Sequence, residues 1–66
     1  MNFRLNGEPY SVAAPLSIEA LLDHLKIDAR RVAVESNFVV VKRDAYPTTT
    51  VDEGDQVEIV NFVGGG

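Results

Sequence analysis

Apolar and polar residues alternate at the start of the chain, with Phe3 and Leu5 set against Arg4 and Asn6. This period of two is that of a half-buried strand. Asn6-Gly7 follows as a favoured hairpin turn, and Glu8 to Val12 supplies a return strand. Pro9 has no N–H to give to a ladder, so the return strand is expected at a sheet edge. The period then changes: Ile18, Leu21, Leu22 and Leu25 recur at i, i+3, i+4 and i+7, which predicts a helix with one aliphatic stripe to lay against a sheet. Ser17 is its expected N-cap, Glu19 puts negative charge in the first turn, and Leu16 and Leu21 have the spacing of a hydrophobic staple. Lys26 suits the last turn, and Ile27 to Arg31 is the exit. His24 falls on the polar side and is expected to be exposed.

Two β-branched runs come next, Val32 to Glu35 and Phe38 to Val41, separated by Ser36-Asn37 as a short turn. Asn37 tolerates a left-handed backbone, whereas Phe38 stands where glycine would be easiest. Phe38 and Val39 are expected to be exposed. Lys42 to Pro47 reads as a turn or short helical piece, with Tyr46 covering one end of the core. Thr48 to Val51 is extended, Asp52-Glu53-Gly54-Asp55 turns, and Gln56 to Val63 is the last strand. In that strand Val57 and Ile59 point one way, and Glu58, Val60 and Phe62 the other. If Val57 and Ile59 enter the core, Val60 and Phe62 form an apolar patch on the opposite face; partial cover of both faces within the monomer is the alternative. The order of elements predicts an α+β domain, one helix packed across a mixed sheet of four to five strands.

Composition narrows the chemistry. Sixty-six residues make one small domain, with 45% apolar and 24% charged residues as in ordinary globular proteins. The absence of cysteine removes disulfides, thiolate metal sites and cysteine nucleophiles, and it fits a reducing cytoplasm. A lone histidine leaves no pair for a metal site. The Asp52–Asp55 turn lacks the ligand spacing of a calcium loop. No signal peptide or membrane-spanning stretch is read, so the chain is expected to be soluble, cytoplasmic and without a membrane role. A net charge of −4 works against phosphate backbones, so nucleic acid is not an expected partner. Asp52, Glu53, Asp55 and Glu58 read as a solvated cluster and, beside the tail, also as a surface that would steer a basic partner.

The chain closes on Phe62-Val63-Gly64-Gly65-Gly66. Three glycines pack poorly, so residues 1–63 are taken as the domain and 64–66 as a flexible tail. Its one distinctive group is the Gly66 α-carboxylate, and a tail of this kind can be threaded into a narrow partner site. A frayed terminus or a cloning remnant has the same composition.

With these residues placed, the chain resembles the ThiS-type sulfur carriers of thiamine biosynthesis, which have the ubiquitin-like β-grasp fold. The likeness runs from Asn6-Gly7-Glu8 through Ile18, Leu21-Leu22, Arg31-Val32-Ala33-Val34-Glu35, Val40-Val41 and Arg43 to Gly54-Asp55-Gln56-Val57-Glu58-Ile59-Val60 and the Phe62–Gly66 ending. Members often have Asn-Gly where this chain has Asn37-Phe38, proline at Lys42 and tryptophan at Tyr46. The resemblance implies that Gly66 carries the reacting carboxylate, converted by an E1-like, ThiF-type adenylyltransferase to an acyl-adenylate and then to a thiocarboxylate. It implies that a sulfur donor such as a cysteine desulfurase or rhodanese supplies the sulfur, and that a ThiG-type thiazole synthase receives it. Magnesium and ATP would serve the partner, with no cofactor bound here, and the chain would be a carried substrate rather than an enzyme. Gly64 and Gly65 give access; Val60, Phe62 and Val63 are the docking candidates. Sulfur carriage for molybdopterin or tRNA thiolation, a ubiquitin-like modifier, and a non-covalent binding module are the competing readings.

Overall fold

Nine side chains close the core: Phe3, Ile18, Leu21, Leu22, Val32, Val34, Tyr46, Val51 and Val57, none more than 4% exposed. The computed structural model describes residues 1–62. Strands β1 (Asn2–Leu5) and β2 (Glu8–Ser11) form the opening hairpin, and Asn6 and Gly7 both take positive φ, at 52° and 83°, as a two-residue turn requires. A short strand β3 (Leu16–Ser17) leads into helix α1 (Ile18–His24), followed by β4 (Val32–Ser36), β5 (Val39–Val41), β6 (Thr50–Val51) and β7 (Gln56–Asn61). Five strands join in the order β2-β1-β7-β4-β5, while β3 pairs separately with β6. The β1–β7 pair is parallel and the other pairs are antiparallel, so the sheet is mixed as expected.

The helix forms where the aliphatic stripe predicts it. Ser17 caps it by accepting from the Ala20 N–H at 3.0 Å. Its end is a Schellman arrangement: Lys26 N–H donates to Asp23 C=O and Ile27 N–H to Leu22 C=O, at 3.1 and 2.9 Å, with Lys26 at φ 59°. Ile18, Leu21 and Leu22 are buried against the sheet, and burying one such side chain contributes roughly 1.5–3 kcal/mol. Pro9 lies on the edge strand β2, and Tyr46 is buried, both as expected.

The second hairpin turn differs from the expectation. The turn between β4 and β5 is Asn37-Phe38, not Ser36-Asn37: Ser36 pairs with Val39 inside the ladder, and Asn37 and Phe38 take φ of 52° and 69°. Twisted antiparallel strands favour a turn with two positive φ values, and that geometry overrides the poor fit of a phenylalanine. The helix exit contains a 3-10 turn, Ala29–Arg31, capped by Asp28, whose carboxylate accepts from the Arg30 N–H at 2.9 Å. Lys42–Pro47 contains a second 3-10 turn, Arg43–Ala45, the short helical piece expected there. Among the described residues, no helix is long and apolar enough to cross a membrane.

Candidate functional site at the end of the last strand

Strand β7 sits in the middle of the sheet and divides its side chains as the alternation predicts. Val57 is fully buried and Ile59 packs against the core, whereas Val60 and Phe62 are 58% and 54% exposed. The register sets Ala33 opposite Val60, and Glu35 opposite both Glu58 and Val40. Val40 is also exposed, so the face turned away from α1 carries Val40 and Val60 around a Glu35–Glu58 pair. Two of the expected docking residues, Val60 and Phe62, thus share an exposed face at the end of β7. The third, Val63, and the tail residues Gly64, Gly65 and Gly66 lie outside the described residues.

The end of β7 is held on both sides. Toward β4, the Phe62 N–H donates to the Arg31 carbonyl at 2.9 Å. Toward β1, the Asn6 side chain grips Ile59: its Oδ1 accepts from the Ile59 N–H at 2.7 Å, and its Nδ2 donates to the Ile59 carbonyl at 3.3 Å. Strand β1 has turned away by this point, and an amide side chain has the same donor and acceptor as a peptide unit, so Asn6 stands in for the missing strand residue.

The charge distribution corrects one expectation. The Asp52–Asp55 turn lies at the start of β7, where Gly54 N–H donates to Asn2 C=O and the Asp55 carboxylate accepts from Asn37 Nδ2. Phe62 lies at the other end, roughly 20–23 Å away at about 3.3 Å per residue. The acidic turn is next to the last strand in sequence but not beside its end in space. Instead the Arg31 carbonyl holds Phe62, and the Arg43 guanidinium donates to the Arg30 carbonyl at 3.4 Å. The Arg30 and Arg31 side chains are 80% and 83% exposed. Asp28 accepts two bonds from the Arg30 side chain, at 3.0 and 3.2 Å, and one from its backbone N–H. These bonds hold the Asp28 carboxyl down at about 2, because they favour its charged form.

Sequence reasoning missed both features. Asn6 reads as a turn residue and Arg30-Arg31 as a helix exit; only the β1–β7 and β4–β7 registers reveal what each touches. Among the described residues, no cluster of three or more His, Cys, Asp or Glu side chains is placed to hold a metal ion.

Comparison with known proteins gives a consistent picture. The model of the ThiS family matches residues 3–66. A thiazole synthase of Paramagnetospirillum magneticum is 44% identical over the whole chain, yet the chain spans only 20% of that protein's length. The ycf40 protein of Porphyra purpurea is 35% identical over the whole chain, which covers 93% of it. Among solved structures, the crystal structure of the thiamine biosynthesis protein ThiS from Geobacter metallireducens superimposes with a TM-score of 0.89 at 43% identity, with full coverage of both chains. One helix on a mixed five-stranded sheet matches that neighbour, so the fold is the expected β-grasp.

Proposed function

The chain belongs to the ThiS family, and from that premise we propose that it is a sulfur carrier protein of thiamine biosynthesis whose reacting group is the Gly66 carboxylate. The observation that carries this reading is the family match through residue 66, joined to a domain that exposes Val60 and Phe62 at the end of β7. A carboxylate does not exchange oxygen for sulfur unaided, because its carbon is a poor electrophile and oxide a poor leaving group. An E1-like adenylyltransferase joins it to AMP from ATP, releasing pyrophosphate. The terminal sulfur of a donor persulfide, from a cysteine desulfurase or rhodanese, then attacks the carbonyl carbon and AMP departs. Cleavage of the acyl disulfide by a thiol leaves the thiocarboxylate and a disulfide. ATP and magnesium belong to the partner's site.

The parts then have separate tasks. Gly66 supplies the carbon, and Gly64 and Gly65 allow close approach of the partner's backbone. Val60, Phe62 and Val63 dock. Fully extended, Val63 to Gly66 span at most roughly 13–14 Å, enough to reach a recessed catalytic centre. In this reading the chain is a co-substrate, not a catalyst, and it works in the cytoplasm. A segment similar to this chain forms a fifth of a protein named thiazole synthase, which supports thiazole synthase as the sulfur acceptor.

The test is intact-mass measurement after incubation with the E1-like enzyme, ATP and a sulfur donor. One oxygen replaced by sulfur, mapped to Gly66, is the expected result. An unchanged mass while a reference carrier reacts overturns the proposal, and denaturation-resistant conjugates to lysine would assign the chain to protein modification instead.

A further inference from the structure

Four cations of this chain, Arg30, Arg31, Lys42 and Arg43, are gathered toward the end of β7. Arg31 is bonded through its carbonyl to Phe62, Arg43 reaches the carbonyl of Arg30, and Lys42 follows the end of β5, on the same side of the sheet. All four side chains are exposed. Arg4 stands apart, opposite Gln56 at the start of β7, where its N–H donates to the Asp55 carbonyl at 2.9 Å. Four of the six basic residues therefore lie on the β4–β5 side of Phe62 in a protein whose net charge is −4. Asp28 pairs with Arg30 and Arg31, and Asp44 follows Arg43, whereas Glu58, with Glu35 opposite it, lies four residues back from Phe62, roughly 13 Å at about 3.3 Å per residue, so next to Phe62 carboxylates offset the cations only in part.

Net charge does not set the potential at this place. The Asp52–Asp55 turn lies roughly 20–23 Å from Phe62 at about 3.3 Å per residue, more than twice the Debye length of ~8 Å at physiological salt. An approaching surface at the tail root meets the arginines, with the acidic turn screened. A site that receives Gly66 must also come close to Phe62, because only Val63, Gly64 and Gly65 lie between them, so the rim of that site faces the cations at contact range.

We propose that Arg30, Arg31, Lys42 and Arg43 form a docking collar for an acidic rim around the tail-entry site of the adenylating enzyme. This rests on the carrier reading above. The collar orients the chain so that Phe62 and the tail arrive at the entry first, and it acts on encounter more than on residence, as exposed interface charges do. A nucleic acid is the other polyanion that exposed arginines bind, and the overall negative charge disfavours it.

The experiment measures association with the E1-like enzyme by stopped flow at low and high salt. It uses the wild type, the double variant Arg31→Gln/Arg43→Gln, and Thr50→Glu/Gln56→Glu, which changes net charge equally away from the collar. The wild-type on-rate is expected to fall with salt. The collar variant should associate about ten-fold more slowly at low salt, with a flattened salt dependence and a nearly unchanged off-rate, and the control should follow the wild type. Circular dichroism confirms that each variant is folded. Thiocarboxylate formed by all three proteins at saturating enzyme, together with equal on-rates and salt slopes, overturns the collar and leaves the carrier reading standing. No thiocarboxylate and no association for the wild type overturns both. Binding of tRNA that the collar variant loses, with no salt-dependent association with the enzyme, overturns the collar by assigning the cations to a nucleic acid.

Discussion

Asn6 completes the sheet for Ile59: one side-chain amide both accepts from and donates to that residue's backbone, at 2.7 and 3.3 Å. The consequence is that β7 stays held on both sides as far as Ile59, and from there β4 and the Arg31 carbonyl carry it to Phe62. The residue that holds the root of the tail is thus a turn residue more than fifty positions earlier.

Replacing Asn6 should loosen that root. Asn6→Gly keeps the positive φ and removes the amide, and it is expected to lower stability by about 0.5–1.5 kcal/mol, the net value of one or two exposed hydrogen bonds. Asn6→Ala should lower it further, because alanine also resists the left-handed backbone. Urea melts measure both. Amide exchange at Ile59 should accelerate in both variants; unchanged protection in Asn6→Gly would show that the clamp contributes nothing.

Phe38 predicts the opposite sign. It takes φ 69° in the β4–β5 turn and is 74% exposed, so it bears backbone strain without burial in return. A left-handed non-glycine residue costs about 1–2 kcal/mol, and glycine gives back part of that through the entropy of the unfolded chain. Phe38→Gly should therefore stabilise by roughly 0.5–1 kcal/mol, raising Tm by about 4–8 °C per kcal/mol in a domain of this size. A lower Tm would mean that the phenylalanine packs usefully.

The docking assignment separates stability from binding. Phe62→Ala removes an exposed side chain, so folding stability should change by less than about 0.5 kcal/mol. If Phe62 anchors the partner, Kd for the E1-like enzyme should rise about ten-fold or more, some 1.4 kcal/mol. Equal affinity by calorimetry would remove Phe62 from the interface. Gly65→Ala should leave the melt unchanged and slow adenylation, measured by pyrophosphate release, because a methyl group obstructs a closely held tail; normal release would count against threading.

Asp28 makes the acid limb of stability testable. Its carboxyl is depressed from 3.8 to about 2 by the Arg30 side chain and backbone. A depressed folded-state pKa contributes stability above the unfolded value that is lost as pH falls through the folded one, so this contribution is present above about pH 4–5 and disappears toward pH 2. Asp28→Asn keeps an acceptor for the Arg30 N–H and removes the titration. Its stability should fall less steeply than the wild type's between pH 4 and 2. Parallel acid limbs would show that the pair, with Arg30 80% exposed, adds nothing to stability.

Local periodicity was enough for the elements. The alternation around Phe3, the stripe from Ile18 to Leu25 with its Ser17 cap, and the in–out pattern of Val57 to Phe62 each follow from backbone geometry that acts over a few residues, so they are legible without a fold. The pairing β2-β1-β7-β4-β5 brings together residues far apart in sequence, and neither the clamp of Asn6 on Ile59 nor the arginines beside Phe62 has any local signal. Adjacency misled in the one place where it stood in for distance. Asp52–Asp55 precedes β7 directly, yet an extended strand carries the chain about 3.3 Å per residue away from it. Residue type and spacing predicted a last strand with Val57 and Ile59 on one face and Val60 and Phe62 on the other. Strand register, which long-range pairing alone sets, left Val60 and Phe62 exposed and placed the arginine segment beside them.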